Sequence, residues 1–415
     1  MSTKTVWLVR LAVWALAALV APFARPADVP PHLTMIANRG QYLATAGNCG
    51  SCHTAPGGQP FAGGRPIDTP FGVIYTSNIT PDPETGIGNW TEQDLAKAMR
   101  EGTRPDGQHL YPAFPYTAFT KLSDEDIGLL YAYLKTLTPI KVTPTPNTLS
   151  FPFNQRSLMS VWNALFFKPG RFVADPSKPA DWNRGAYLVE GLGHCGACHT
   201  PRNLLGAEKL DMALTGGTYV DVVPGGEMKS WSTVNLTSAS TGLGTWSINA
   251  IAAYLQTGHN ARAVTFGPMN NVVMPSTRNL STADIKAIAV YLKSLPPKET
   301  SATPASKEAL KADEVVYNLR CGTCHEPTGL GSDAIGPPLV GSAIVQAPDP
   351  SSLINTIIYG TQLPEPPIKL SYNKDMTSMG DDMTDQDIAK VCTYVRGNWG
   401  NRAGSVDEAQ VAKQR

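Results

Sequence analysis

Six of the seven cysteines fall into three copies of one pattern: Cys49-Gly-Ser-Cys52-His53, Cys195-Gly-Ala-Cys198-His199 and Cys321-Gly-Thr-Cys324-His325. Two cysteines three residues apart on a helical turn present their sulfurs on one face, spaced for thioether bonds to the two vinyl groups of one haem. The histidine that follows then reaches the iron as its proximal ligand. A lone Cys-X-X-Cys could be a redox dithiol, and paired ones could hold zinc. Threefold recurrence with histidine always in the fifth place overrules both readings. The spacing therefore predicts three covalently attached haem c groups, with His53, His199 and His325 on the irons. The remaining Cys392 lies in the apolar helical pattern IAKVCTYV and reads as a small buried side chain.

A haem that passes electrons is well served by methionine on its other face, because the iron then stays low-spin and its potential rises. Methionines in loops just ahead of a helix are the residues to search for. The third motif is followed by Met376 and Met379 in such a loop, with Met383 at an apolar position of the helix start. The second is followed by FGPMNNVVMPSTRNL, which offers Met269 and Met274. Loop position does not choose within either pair. After the first motif the corresponding stretch, LYPAFPYTAF (110–119), contains no methionine and carries Phe114 instead. Met99, in the helical LAKAMREG, reads as core, and the flanks of His109 give it no specific support. This stretch therefore offers the first haem no assigned sixth ligand.

These residues need elements to hold them. NRGQYL (38–43) precedes the first motif as NRGAYL (183–188) precedes the second, and SNITPDPETGIGNW (77–90) is echoed by VNLTSASTGLGTW (234–246). The first two modules are thus copies of one enlarged unit, and the third is smaller. Each module closes with a helical pattern opened by Ser or Thr before an acidic residue: SDEDIGLLYAYLKTL, STADIKAIAVYLKSL and TDQDIAKVCTYVRGNW. Tyr133, Tyr291 and Tyr394 within them read as packing. The expected architecture is an all-α domain around each porphyrin, at 35–138, 181–296 and 310–400. Linkers are expected at 139–180 and 297–309, and a polar tail at 401–415. The aromatic-rich part of the first linker has the composition of a segment that packs on a domain or a partner subunit.

The chain has 415 residues, 42% of them hydrophobic, which allows several buried cores. Lys plus Arg and Asp plus Glu both number 34, a balance that argues against nucleic acid as a partner. Residues 1–27 combine a basic start with the apolar VWLVRLAVWALAALVAPF, an export segment that serves as a cleaved signal peptide or an N-terminal anchor. Either places the body outside the cytoplasmic membrane.

The runs NRGQYLATAGNCGSCHT, TPFGVIYTSNITPDPETGIGNW, DGQHLYPAFPY, GHCGACHTPRN, FGPMNNVV and YVRGNWGN together resemble the three-haem cytochrome c subunits of membrane-bound quinone-linked dehydrogenases. That family serves alcohol, gluconate, sorbitol and fructose dehydrogenases and some molybdenum hydroxylases, and the likeness covers nearly all of 35–402. The resemblance implies three tandem class-I-like cytochrome c domains. It implies electron transfer from a catalytic dehydrogenase subunit to ubiquinone or a terminal oxidase, at the periplasmic face of the cytoplasmic membrane. It favours Met269 over Met274 for the second haem. It favours Met376 over Met379 for the third, although Thr377 stands where relatives have proline. Relatives often carry methionine where this chain has Phe114, so nothing carries over for the first haem. No catalytic residue, dinucleotide fingerprint or site for another prosthetic group is visible. Two other readings follow from the same residues: a peroxidase-like enzyme with an open first haem, and a stand-alone electron shuttle.

Overall fold

The computed structural model describes residues 31–300, 302–332, 335–361 and 375–415. The export segment expected at 1–27 lies outside them. Among the described residues no helix is long and apolar enough to cross a membrane.

The first module is built on three helices, α1 (Pro31–Ala46), α2 (Glu92–Glu101) and α3 (Asp124–Leu134). Thr91 and Asp94 form a reciprocal capping box that starts α2, and left-handed Gly102 ends it. Helices α1 and α3 cross at Gly40, where a Cβ would come within 2.1 Å of the Leu129 carbonyl oxygen. Only hydrogen fits there, so the backbones approach directly.

A connecting segment then carries helix α4 (Leu158–Phe166). It is no loose linker. Met159 and Trp162 are buried against Tyr111, Tyr116 and Ala207, and the Trp162 indole donates to the Leu205 carbonyl at 2.9 Å. One face of α4 therefore ties the first module to the second.

The second module repeats the first with α5 (Ala180–Tyr187), α6 (Ile248–Thr257) and α7 (Thr282–Ser294). Its crossing glycine is Gly185, whose Cβ would lie 2.0 Å from the Ala287 carbonyl oxygen. Gly40 stands nine residues before Cys49, but Gly185 stands ten before Cys195. The extra residue is taken up as a π-helical turn, Leu188–Leu192, so that crossing and motif both keep their places.

The all-α expectation needs correction. In the first module β1 (Pro66–Thr69), β2 (Gly72–Tyr75) and β3 (Thr148–Leu149) form an antiparallel sheet, with Pro66 opposite Tyr75 and Gly72 opposite Leu149. In the second, β4 (Gly217–Val222) pairs with β5 (Met228–Thr233), Gly217 opposite Thr233. Both hairpins lie in the insertions that enlarge these two modules. Their signals were the short β-branched runs around FG (71–72) and PGG (224–226).

Modules one and two share one continuous core, in which Leu43, Leu122, Ile127 and Leu130 meet Leu188, Leu192, Ile285 and Ile288. Their contact is isologous. Tyr42 of the first donates to Asp284 of the second at 2.7 Å, and the equivalent Tyr187 donates to the equivalent Asp126 at 2.5 Å.

The third module, α8 (Lys307–Arg320), α9 (Ser351–Tyr359) and α10 (Asp385–Gly397), has a separate core around Tyr317, Ile354, Ile388 and Val391. Helix α8 begins inside the expected second linker. Residues expected as a polar tail form helix α11 (Glu408–Gln414), with Val411 fully buried and Arg415 paired to Asp385 at 2.7 Å. The Ser352 hydroxyl donates to the Ser232 carbonyl at 2.8 Å and the Asn355 amide to the Ser230 carbonyl at 2.8 Å. Helix α9 thereby covers the open edge of β5 and docks the third module on the second.

Candidate functional site: three cysteine–histidine turns

Each motif folds as one helical turn closed by the same bond. The amide of His53 donates to the Cys49 carbonyl at 3.0 Å, that of His199 to Cys195 at 3.0 Å, and that of His325 to Cys321 at 2.9 Å. In every case the histidine carbonyl accepts from a glycine held at positive φ: Gly63 at 2.8 Å, Gly216 at 2.9 Å and Gly331 at 3.0 Å.

The imidazoles are fixed in the same way. Nδ1 of His53 lies 2.7 Å from the Ser77 carbonyl, that of His199 2.8 Å from Val234, and that of His325 2.9 Å from Pro337. A carbonyl can only accept, so Nδ1 carries the proton and Nε2 keeps its lone pair free. This is the tautomer and orientation a metal-ligating histidine needs. Burial pushes all three pKa values down, against the opposing pull of the carbonyl bond, which keeps the rings neutral.

The acceptor carbonyls are themselves positioned by repeated turns. Asn78 accepts from the Thr80 amide and hydroxyl at 2.9 and 2.7 Å, and its Nδ2 donates to Ile140 at 2.7 Å. Asn235 does the same with Thr237 at 2.9 and 2.7 Å and with Lys298 at 2.8 Å. In the third module Asn401 takes over part of the task, donating to Leu339 and Val395.

None of the cysteines is in a disulfide. Burial pushes the thiols of Cys49 and Cys198 up to about 12 and those of Cys195 and Cys321 up to about 11. Thiols so reluctant to ionise are poor redox nucleophiles. Among the described residues no three His, Cys, Asp or Glu side chains gather into a metal cluster. A pair of cysteines beside one neutral, oriented imidazole is a donor set that fits haem c. Cys392 is fully buried on α10, as expected.

The methionines divide more finely than loop position allowed. Met269 closes a turn, Gly267–Met269, in which a Cβ on Gly267 would strike the Trp231 ring at 2.6 Å. The Met274 sulfur instead lies 3.5 Å from Nη1 of Arg278. Met376 and Met379 both pack on the third core, in a strand of loop that runs back along the end of α9. Phe114 packs on Phe119 with ring centroids 5.4 Å apart.

A family model for cytochrome c matches residues 37–138, and one for the cbb3-type cytochrome c oxidase subunit III matches residues 308–395. The alcohol dehydrogenase (quinone) cytochrome c subunit of Gluconobacter oxydans is 38% identical over 91% of this chain and 81% of its own length. The chain belongs to the family of dehydrogenase cytochrome c subunits. A nicotinate dehydrogenase subunit of Pseudomonas putida is 41% identical over 91% of this cytochrome, which spans only 31% of that longer protein. A diheme cytochrome c-type protein of Cereibacter sphaeroides is 40% identical over 68% of this chain and 93% of its own length. The cytochrome subunit accordingly has cytochrome c domains, which hold haem c covalently. The cysteines and histidines stand out in the order of residues; the carbonyls and glycines that orient them do not, because main-chain partners leave no residue signature.

Proposed function

We propose that this cytochrome subunit holds three haem c groups, in domains at 35–138, 181–296 and 310–400, and relays electrons from a catalytic dehydrogenase subunit to ubiquinone or a terminal oxidase. The observation that carries this reading is the threefold recurrence of one main-chain cradle: His amide to Cys carbonyl, Gly amide to His carbonyl, His Nδ1–H to carbonyl. The haems supply reversible Fe(III)/Fe(II) exchange, and the chain supplies ligands, burial and spacing. Cys49 and Cys52 attach the first, Cys195 and Cys198 the second, Cys321 and Cys324 the third. Met269 is the distal ligand of haem 2, supported by the engagement of Met274 with Arg278. Met376 takes that role in haem 3.

Asn48 Nδ2 and Ser51 Oγ, beside the first motif, donate to the Asn271 carbonyl of the second module at 2.9 and 3.1 Å, which supports close approach of haems 1 and 2. Arg65 bridges the two attachment regions, donating to the Ser51 carbonyl and pairing with Asp221 at 3.2 Å.

Membrane association at the periplasmic face is supported by α4. Its outer face exposes Leu158, Val161 and Leu165, with Phe151 and Leu204 exposed nearby. From 150 to 174 the chain has Arg156, Lys168 and Arg171 and no acidic residue. Arg171 is paired to Asp124 at 2.8 Å and Arg156 donates to the His109 carbonyl, so the apolar stripe, with Lys168 beside it, is what suits an anionic membrane surface. The peroxidase-like and free-shuttle alternatives are not favoured by relatives named as dehydrogenase subunits.

Pyridine haemochrome analysis of the purified protein tests the count: three haem c per chain are expected, and two or fewer would overturn the reading. Isolation from membranes in stoichiometric complex with a large dehydrogenase subunit is the expected outcome for the partner.

A further inference from the structure

We propose that haem 1 has no distal ligand from the protein and is a binding site for small neutral diatomics such as carbon monoxide. This rests on the three-haem reading above. Modules one and two share a register that can be laid residue on residue. Helices α2 and α6 both end at a left-handed glycine, Gly102 and Gly258. Each glycine is followed by an isolated bridge, Thr103 with His109 and His259 with Val264. The next amide returns to the glycine in both modules, Leu110 to Gly102 at 2.6 Å and Thr265 to Gly258 at 2.7 Å. Five residues beyond His109 is Phe114, and five beyond Val264 is Met269. Phe114 therefore stands in the place of the haem 2 thioether, and a phenyl ring has no lone pair to offer iron.

The same register excludes the nearest substitute. Met99 lies three residues before Gly102, and three before Gly258 is Leu255, a hydrocarbon packed on the shared core. Met99 is likewise buried in that core, so its position is a packing one in both copies. Met159 is buried with Tyr116 and Trp162 in the cluster that fastens α4. His109 keeps a buried Nδ1 with no protein partner, and it is the side chain that the His109→Ala variant below tests. Phe114, packed against Phe119 and in contact with both neighbouring clusters, is left as an apolar wall. An apolar wall excludes charged ligands by desolvation and admits neutral ones.

The test uses full-length holoprotein, reduced, with carbon monoxide as the probe and the haemochrome count measured in parallel. One haem in three is expected to bind carbon monoxide. Phe114→Met should abolish that binding and add one more thioether-ligated haem, with the haem count unchanged. Met269→Ala should raise binding to two haems in three, which checks the register should the first variant fold poorly. Three haems with no carbon monoxide binding in the wild type would overturn the inference while leaving the electron-transfer reading intact; gain of binding in His109→Ala or Met159→Leu would then identify the hidden ligand. A haem count below three would instead overturn the reading beneath it.

Discussion

What marks His53, His199 and His325 as candidate iron ligands is less their ring chemistry than what their other nitrogen touches. Nδ1–H is spent on a carbonyl in all three, so each ring is held in one tautomer and one plane. The distal residues can be separated by the same kind of argument. Met269→Ala should convert haem 2 from low-spin to high-spin, read as loss of one haem's share of the sulfur-to-iron charge-transfer absorption. Met274→Ala should leave that absorption unchanged, because its sulfur already faces the Arg278 guanidinium at 3.5 Å. Equal losses in both variants would remove the distinction.

At the scale of elements, the two crossings decide stability. A methyl group at Gly185 would be driven onto the Ala287 carbonyl and the Tyr291 Cβ, neither of which can move without separating α5 from α7. Overpacking of this kind costs about 1–3 kcal/mol. Gly185→Ala should lower the urea midpoint accordingly, whereas alanine at Gly57, which has nothing near its Cβ, has only its positive φ to oppose it. The isologous contact adds a pH dependence. Burial would raise the pKa of Asp284, but hydrogen bonds from Arg184, at 2.8 and 2.7 Å, and from Tyr42 outweigh it and hold the carboxyl below its ordinary value. A depressed folded-state pKa contributes stability above the unfolded value of about 4 and loses it as pH falls through the folded one. Stability measured by urea unfolding should therefore drop on acidification below about pH 4. Asp284→Asn should flatten that part of the profile.

The described residues form a fused pair of modules with a third module docked on it. Because residues of modules one and two interleave in one core, neither buries its own apolar face alone. A fragment ending near residue 300 should fold and carry two haems, because it keeps both halves of the shared core, whereas one ending near 140 should aggregate; size-exclusion chromatography with haem quantitation distinguishes them. The exposed stripe of α4 acts at this scale too. Val161→Glu with Leu165→Glu should weaken sedimentation with anionic vesicles several-fold while leaving the visible spectrum unchanged, since both side chains point away from the cluster that buries Met159 and Trp162.

The covalent chemistry, the duplicated unit and the helices that close each module were legible in the order of residues. Cys-X-X-Cys-His, NRGQYL with NRGAYL, and Ser or Thr caps are local patterns, and local patterns are written in adjacent residues. Residue order did not reveal the hairpins or the return of α11, and for the aromatic-rich segment that forms α4 it indicated packing but not the surface packed against. Those depend on which surface each segment finds, as Trp162 finds Leu205 and Val411 finds the third core. The carbonyls of Ser77, Val234 and Pro337 belong to the same class. A main-chain oxygen looks alike at every position in a sequence, and only the folded path of the chain brings it within 3 Å of a particular histidine.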